Sequence, residues 1–144
     1  MRTYLYLVLA LVLAACSSDD KPGNTLQLDR LQGQWVVINY WATWCKPCIQ
    51  EIPELNSLAE LPGVTVLGVN YDGVDGEQLA QQIEQLGIAF PVLATDPASQ
   101  LGEARPMVLP TTYVLDPSGQ LRETLVGPQT LESLAEATGQ EPGG

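Results

Sequence analysis

Cys45-Lys46-Pro47-Cys48 sets two thiols one helical turn apart, directly behind the apolar run that ends at Trp44. A thiol at a helix N-terminus feels the positive end of the helix dipole and the unpaired backbone N–H groups, so its thiolate is stabilised near neutral pH. Cys45 takes that first position. A partner three residues on lies on the same helical face, where it can attack a mixed disulfide at Cys45. Cys48 fits that resolving role, and the chemistry is thiol–disulfide exchange. Two plainer readings compete. Half a zinc site lacks ligands, because the chain has no histidine and only one other cysteine. A purely structural disulfide across one turn would close a very short loop, the kind that gains least from chain entropy.

The elements that must hold these thiols follow from patterning. Residues 34–40 are mostly β-branched and aromatic, continuous enough for a central strand buried on both faces. Residues 47–59 carry Ile49, Ile52, Leu55, Leu58 and Ala59 at helical spacing, with Pro47 pre-organising the first turn and Pro53 predicting a kink. A second buried strand spans 64–70, a helix 76–86 presents Leu79, Ile83 and Leu86 on one face, and 90–93 is a short extended piece. Residues 111–115 and 121–126, joined by the turn at 116–119, read as an antiparallel hairpin. A last helix spans 130–137, with Thr130 as N-cap and Gly139 past its end. This order implies an α/β sandwich of mixed sheet with helices on both faces.

The third cysteine belongs to a leader. Arg2, an apolar stretch over 4–15, small residues at Ala14 and Ala15, and an abrupt polar turn at Ser17 form an export signal. Its dozen apolar residues are too few for a bilayer span, which takes about 20. Leu13-Ala14-Ala15-Cys16 resembles the bacterial lipobox, which implies lipidation of Cys16 and a membrane tether through acyl chains. An ordinary secretory signal with a leftover cysteine is the alternative. The division expected is a signal peptide over 1–15, a lipidated tether over 16–25, one domain over 26–138 and a disordered tail over 139–144. Ser17 favours the outer membrane by the sorting rule of enteric bacteria, with the inner membrane as the other possibility, and the domain then faces the periplasm. A formal charge of −11 excludes nucleic-acid binding by electrostatics.

Residues 36–48, then Glu51-Ile52-Pro53-Glu54-Leu55, then Leu109-Pro110-Thr111-Thr112-Tyr113, together resemble the thioredoxin fold in its membrane-tethered TlpA/ResA-like branch. The resemblance covers nearly the whole chain after the leader. It implies a thioredoxin-like three-layer sandwich in which 72–104 is a central insert. It implies an extracytoplasmic protein-disulfide reductase acting on cysteine-containing exported proteins, possessing no cofactor beyond its Cys45–Cys48 disulfide and binding no metal. An upstream membrane thiol reductant would recharge it, and cytochrome c maturation is one setting for the branch. Cys45 then matches the nucleophile, Cys48 the resolving thiol, and Pro110 a proline in cis linkage to Leu109. Backbone beside such a proline can pair with an extended substrate, so Trp44, Leu109 and Thr111 are substrate-binding candidates.

Asn39 departs from thioredoxin itself, which carries a buried aspartate at that point to manage the resolving cysteine's proton. An amide cannot be that base. Glu51 matches the acidic residue that the ResA-like branch sets beside its cysteines, and burial against Ile52 and Trp41 would raise its pKa into a useful range. A solvated helix residue is the alternative for Glu51, and Glu54 is expected at the surface. Trp41 is expected in the core and Trp44 as an apolar platform. A redoxin-type peroxidase would need a lone peroxidatic cysteine with a preceding Pro–Thr/Ser arrangement. A copper chaperone of related fold would want a histidine and wider cysteine spacing. The sequence supplies neither.

Overall fold

Trp35 to Trp41 forms the central strand because nearly every residue in it can be buried, and every one after Trp35 is. In the computed structural model, which describes residues 26–141, this strand, β1 (Trp35–Trp41), pairs in parallel with β2 (Val64–Asn70) and antiparallel with β4 (Thr111–Leu115). The edges are β3 (Val92–Leu93), parallel to β2, and β5 (Leu121–Val126), antiparallel to β4, giving the order β3-β2-β1-β4-β5. This is the mixed five-stranded sheet of a thioredoxin-like fold. Three helices complete it: α1 (Lys46–Ala59), α2 (Gly76–Leu86) and α3 (Leu131–Ala137). No described helix is long and apolar enough to cross a membrane.

The period of two along β1 divides the core. Val37 and Trp41 join one apolar cluster with Ile52, Leu55 and Leu58 of α1, Leu79, Ile83 and Leu86 of α2, and Leu131 and Leu134 of α3. Val36, Ile38 and Tyr40 join the other with Leu67, Leu93, Tyr113 and Leu115. That second face is covered by the 3-10 helix Leu28–Leu31, by buried Leu26 and by Leu101, so its helical cover is a single short turn. The uneven distribution follows from topology. β1 to β2 and β2 to β3 step the same way across the sheet, and crossovers of one hand then place α1 and α2 on the same face.

Several local expectations shift by a residue or two. β1 runs to Trp41, one residue beyond the expected strand, because Trp41 pairs with Asn70. The extended piece at 90–93 keeps only Val92 and Leu93 as strand, while Phe90 turns into the helical-face cluster. α1 passes through Pro53 without interruption, since that proline lies on the exposed side where the freed Ile49 carbonyl can meet water. Thr130 caps α3 through a reciprocal capping box with Ser133. Gly139, at φ 61°, turns the chain so that its N–H and that of Gln140 reach the carbonyls of Glu136 and Ala135. These two bonds close the end of α3. The leader, Cys16, the tether and residues 142–144 lie outside the described residues.

Gly68 on β2 shows how tightly the helical face is packed. A Cβ there would stand 2.9 Å from Trp41 Nε1, 3.0 Å from Phe90 and 3.1 Å from Val92. The missing side chain makes room for the Trp41 indole, which closes the core beneath the end of β1.

Candidate active site

β1 delivers its chain to the Ala42-Thr43-Trp44 loop, and α1 starts immediately after. Cys45 is the N-cap of α1, in extended conformation, and its Sγ accepts the Cys48 backbone N–H at 3.3 Å. That N–H is one of the donors a helix start leaves unpaired, and here the sulfur is its acceptor. Cys45 and Cys48 are joined as a disulfide with Cα atoms 5.3 Å apart. Cys45 is 5% exposed and Cys48 1%. The less buried of the two cysteines is thus also the one placed at the helix N-terminus. Pro47 sits in the first turn, where its lack of an N–H costs nothing.

One turn beyond Cys48, Glu51 is 1% exposed, much deeper than contact with Ile52 and Trp41 alone implied. Its Oε1 accepts from Asn39 Nδ2 at 2.5 Å, and its Oε2 accepts from the Gln129 backbone N–H at 2.9 Å. Asn39 Nδ2 also donates to Thr112 Oγ1 at 3.0 Å. The carboxyl so joins α1 to β1 and to the connection into α3, and Asn39 extends the network to β4. Burial pushes its pKa up to about 6, against the opposing pull of the Gln129 and Asn39 donors. Asn39, noted in the sequence for the base it fails to be, is the direct partner of the acid at Glu51. Glu54 is not a free surface residue: half-buried, it accepts the Leu131 backbone N–H at 2.8 Å and ties α1 to the start of α3.

The Leu109–Pro110 peptide bond is cis, as the resemblance implies. The pairing of Tyr40 with Thr111 brings this bond alongside the end of β1, where the chain enters the cysteine loop. Leu109 packs on the cluster that contains both cysteines, and Pro110 and Thr111 are buried. The Thr111 hydroxyl donates to the Val108 carbonyl at 2.8 Å, and the Pro110 carbonyl accepts the Gly127 N–H at 2.9 Å.

Trp44 is 65% exposed, and its partners were not identified from the sequence. Its indole N–H donates to both oxygens of Asp72, at 3.1 and 3.0 Å, and its ring meets Tyr71 edge-on at 6.4 Å. Arg105 lies 4.0 Å over the Tyr71 ring, donates to the Tyr71 carbonyl and pairs with Asp96 at 3.0 Å. Tyr71 and Asp72 directly follow β2, and a parallel partner of β1 must end beside it. That topological consequence was the available signal. Among the described residues the large apolar side chains left exposed are Trp44, Ile49, Met107, Val108 and Val126. The first two flank the cysteines in sequence, the next two precede Pro110, and Val126 pairs with Thr111. No group of three or more His, Cys, Asp or Glu among the described residues is placed to hold a metal ion.

Thiol chemistry carried at this helix start, on this sheet and beside this proline, is that of the thioredoxin-like thiol–disulfide oxidoreductases, a class that acts on cysteine-containing partners. The chain belongs to the AhpC/TSA family, whose model matches residues 12–124. It is 36% identical over 124 residues to the thiol-disulfide oxidoreductase ResA of Oceanobacillus iheyensis, a match covering 81% of this chain and 62% of that protein. The ResA of Bacillus thuringiensis is 33% identical over 118 residues, covering 80% and 68% respectively. Among solved structures, a secreted thiol-disulfide isomerase from Corynebacterium glutamicum superposes with a TM-score of 0.67 at 28% identity, over 81% of this chain and 79% of that one.

Proposed function

We propose that the protein is an extracytoplasmic protein-disulfide reductase, held at a membrane by a lipidated Cys16 and working through the Cys45–Cys48 pair without a further cofactor. The observation that carries this reading is the placement of Cys45, whose sulfur caps α1 and which is the less buried of the two cysteines, with a buried acid one turn beyond Cys48 on the same helix.

In the reduced protein the Cys45 thiolate attacks a substrate disulfide, forming a mixed disulfide and releasing one substrate thiolate. Cys48 then gives up its proton to the Glu51 carboxylate. The Cys48 thiolate attacks Cys45 Sγ, the bond to substrate breaks, and the second substrate thiolate leaves. Two electrons pass to the substrate, the Cys45–Cys48 disulfide forms, and Glu51 returns its proton to solvent or the departing thiolate. An upstream membrane thiol reductant restores the dithiol. The exposed apolar residues around the cysteines and before Pro110 support docking of extended cysteine-containing segments of exported proteins, such as those matured with cytochrome c. The leader supports a periplasmic position, at the outer membrane by the Ser17 rule.

The reduction potential of the Cys45–Cys48 couple tests the direction. A reductase requires a value near that of thioredoxin, about −270 mV, whereas a value near the strong oxidant range of about −120 mV would overturn the reading.

A further inference from the structure

Asn39 faces α1 from the middle of β1, on the side it shares with Val37 and Trp41. Its Nδ2 is fully committed, to Glu51 Oε1 and to Thr112 Oγ1, whereas its Oδ1 is buried with no donor among the described residues. A buried acceptor left without a donor is costly, and it stands here on the side chain that bonds the buried acid.

The observed orientation suits an ionised Glu51. A carboxylate only accepts, and it is met by N–H groups from Asn39 and Gln129. A protonated Glu51 has an O–H to place, and an N–H aimed at it is then the wrong partner. The orphaned Oδ1 is the acceptor that this proton needs. A half-turn of the amide about its terminal torsion, which is broad and roughly two-fold, exchanges Oδ1 for Nδ2. Oδ1 then accepts from the Glu51 carboxyl and from the Thr112 hydroxyl, which rotates to suit.

We propose that Asn39 is a positioning residue whose carboxamide reverses with the protonation of Glu51, holding the carboxylate by its N–H and the carboxylic acid by its carbonyl. This rests on the reading of Glu51 as acceptor of the Cys48 proton, and gives that acceptor a satisfied partner on both sides of the transfer. The groups facing Glu51 are Asn39 from β1, Thr112 from β4 and the Gln129 N–H ahead of α3. On α1 itself Cys45, Cys48 and Glu54 are the neighbouring titratable groups, and Glu132 lies in the first turn of α3. An aspartate at position 39 could not serve both states, because two carboxylates at this separation would have to share a proton.

The disulfide form allows a test in which no active-site thiol titrates. In the full-length oxidised protein, the Glu51 carboxyl carbon is followed by NMR from pH 4 to 9 alongside nuclear Overhauser contacts from the Asn39 Nδ2 protons to the Thr112 methyl. The expected result is that these contacts are present above the Glu51 midpoint and lost below it, with the two midpoints coinciding. Contacts that persist unchanged through the Glu51 titration fix the amide in one orientation and overturn the proposal. Asn39→Leu and Asn39→Asp provide a second reading. A donor that served only the charged form would be worth about tenfold or more in the acid's ionisation constant. Asn39→Leu is therefore expected to raise the Glu51 midpoint by less than tenfold, and Asn39→Asp by more. Equal large shifts would mean that Asn39 serves the carboxylate alone. None of these measurements uses reductase activity, so failure of the amide reversal stays distinct from failure of Glu51 as the proton acceptor.

Discussion

Cys45 and Cys48 differ in what surrounds their sulfurs, and that difference assigns their roles. Cys45 Sγ already accepts a helix N-terminal N–H, the interaction that favours a thiolate, and Cys45 is the less buried of the two cysteines. Limited alkylation of the reduced protein near neutral pH is expected to map to Cys45, and adducts mainly at Cys48 would reverse the assignment. Cys45→Ser should reduce disulfides no faster than the uncatalysed background, whereas Cys48→Ser should accumulate mixed disulfides with substrate. Glu51 carries a stability signature as well. Its carboxyl is raised from 4.5 to about 6 on folding, so the folded state holds this proton more tightly than the unfolded chain. The contribution to stability is complete below about pH 4.5 and is lost as pH rises through 6, a change of about 2 kcal/mol. Urea unfolding of the oxidised protein and of Glu51→Gln across pH 4 to 8 checks this. The difference between the two curves should slope through that window, and parallel curves would mean that the acid does not titrate there.

At the scale of elements, α1 is held over the sheet by apolar contacts and by two carboxylates that reach the start of α3. Glu51 takes the Gln129 N–H and Glu54 the Leu131 N–H, so the helix carrying the cysteines and the last helix are fixed to one another at adjoining turns. The β1–β2 pair supplies the floor. Gly68 leaves the space that the Trp41 indole fills, and Gly68→Ala forces buried Trp41 and Phe90 and partly buried Val92 apart. Overpacking of this kind costs about 1–3 kcal/mol. Equilibrium denaturation should show that loss, with an altered near-ultraviolet signal from the displaced indole, and unchanged stability would mean that the floor yields freely.

For the whole molecule, the proposed anchor and the redox site can be tested apart. The described domain contains both redox cysteines, the buried acid and the cis-proline loop, while Cys16, the proposed anchor, precedes them in the sequence. Cys16→Ser is expected to move the protein from the membrane to the soluble fraction on cell fractionation. A protein beginning at Ser17 should reduce a model disulfide at the rate of the full chain. Loss of that activity, or a disulfide between Cys16 and either active-site cysteine, would defeat the anchor reading and the two-cysteine mechanism together.

The sequence by itself determined the elements and the chemistry. The continuous β-branched and aromatic run over 34–40, helical spacing after Cys48, and turn residues at 116–119 are local patterns, and each appears within a residue or two of where it was read. The cysteine pair was legible because its geometry depends on one helical turn. What tertiary structure decided were contacts between residues far apart in the chain. Asn39, Glu51, Thr112 and Gln129 meet because β1, α1, β4 and the approach to α3 converge, and no spacing within the sequence encodes that convergence. The depth of Glu51, and hence its raised pKa, is a property of that meeting. The clasp of Trp44 by Asp72 and Tyr71 arises because parallel strands end side by side, and the one-sided helical cover because successive crossovers share a hand.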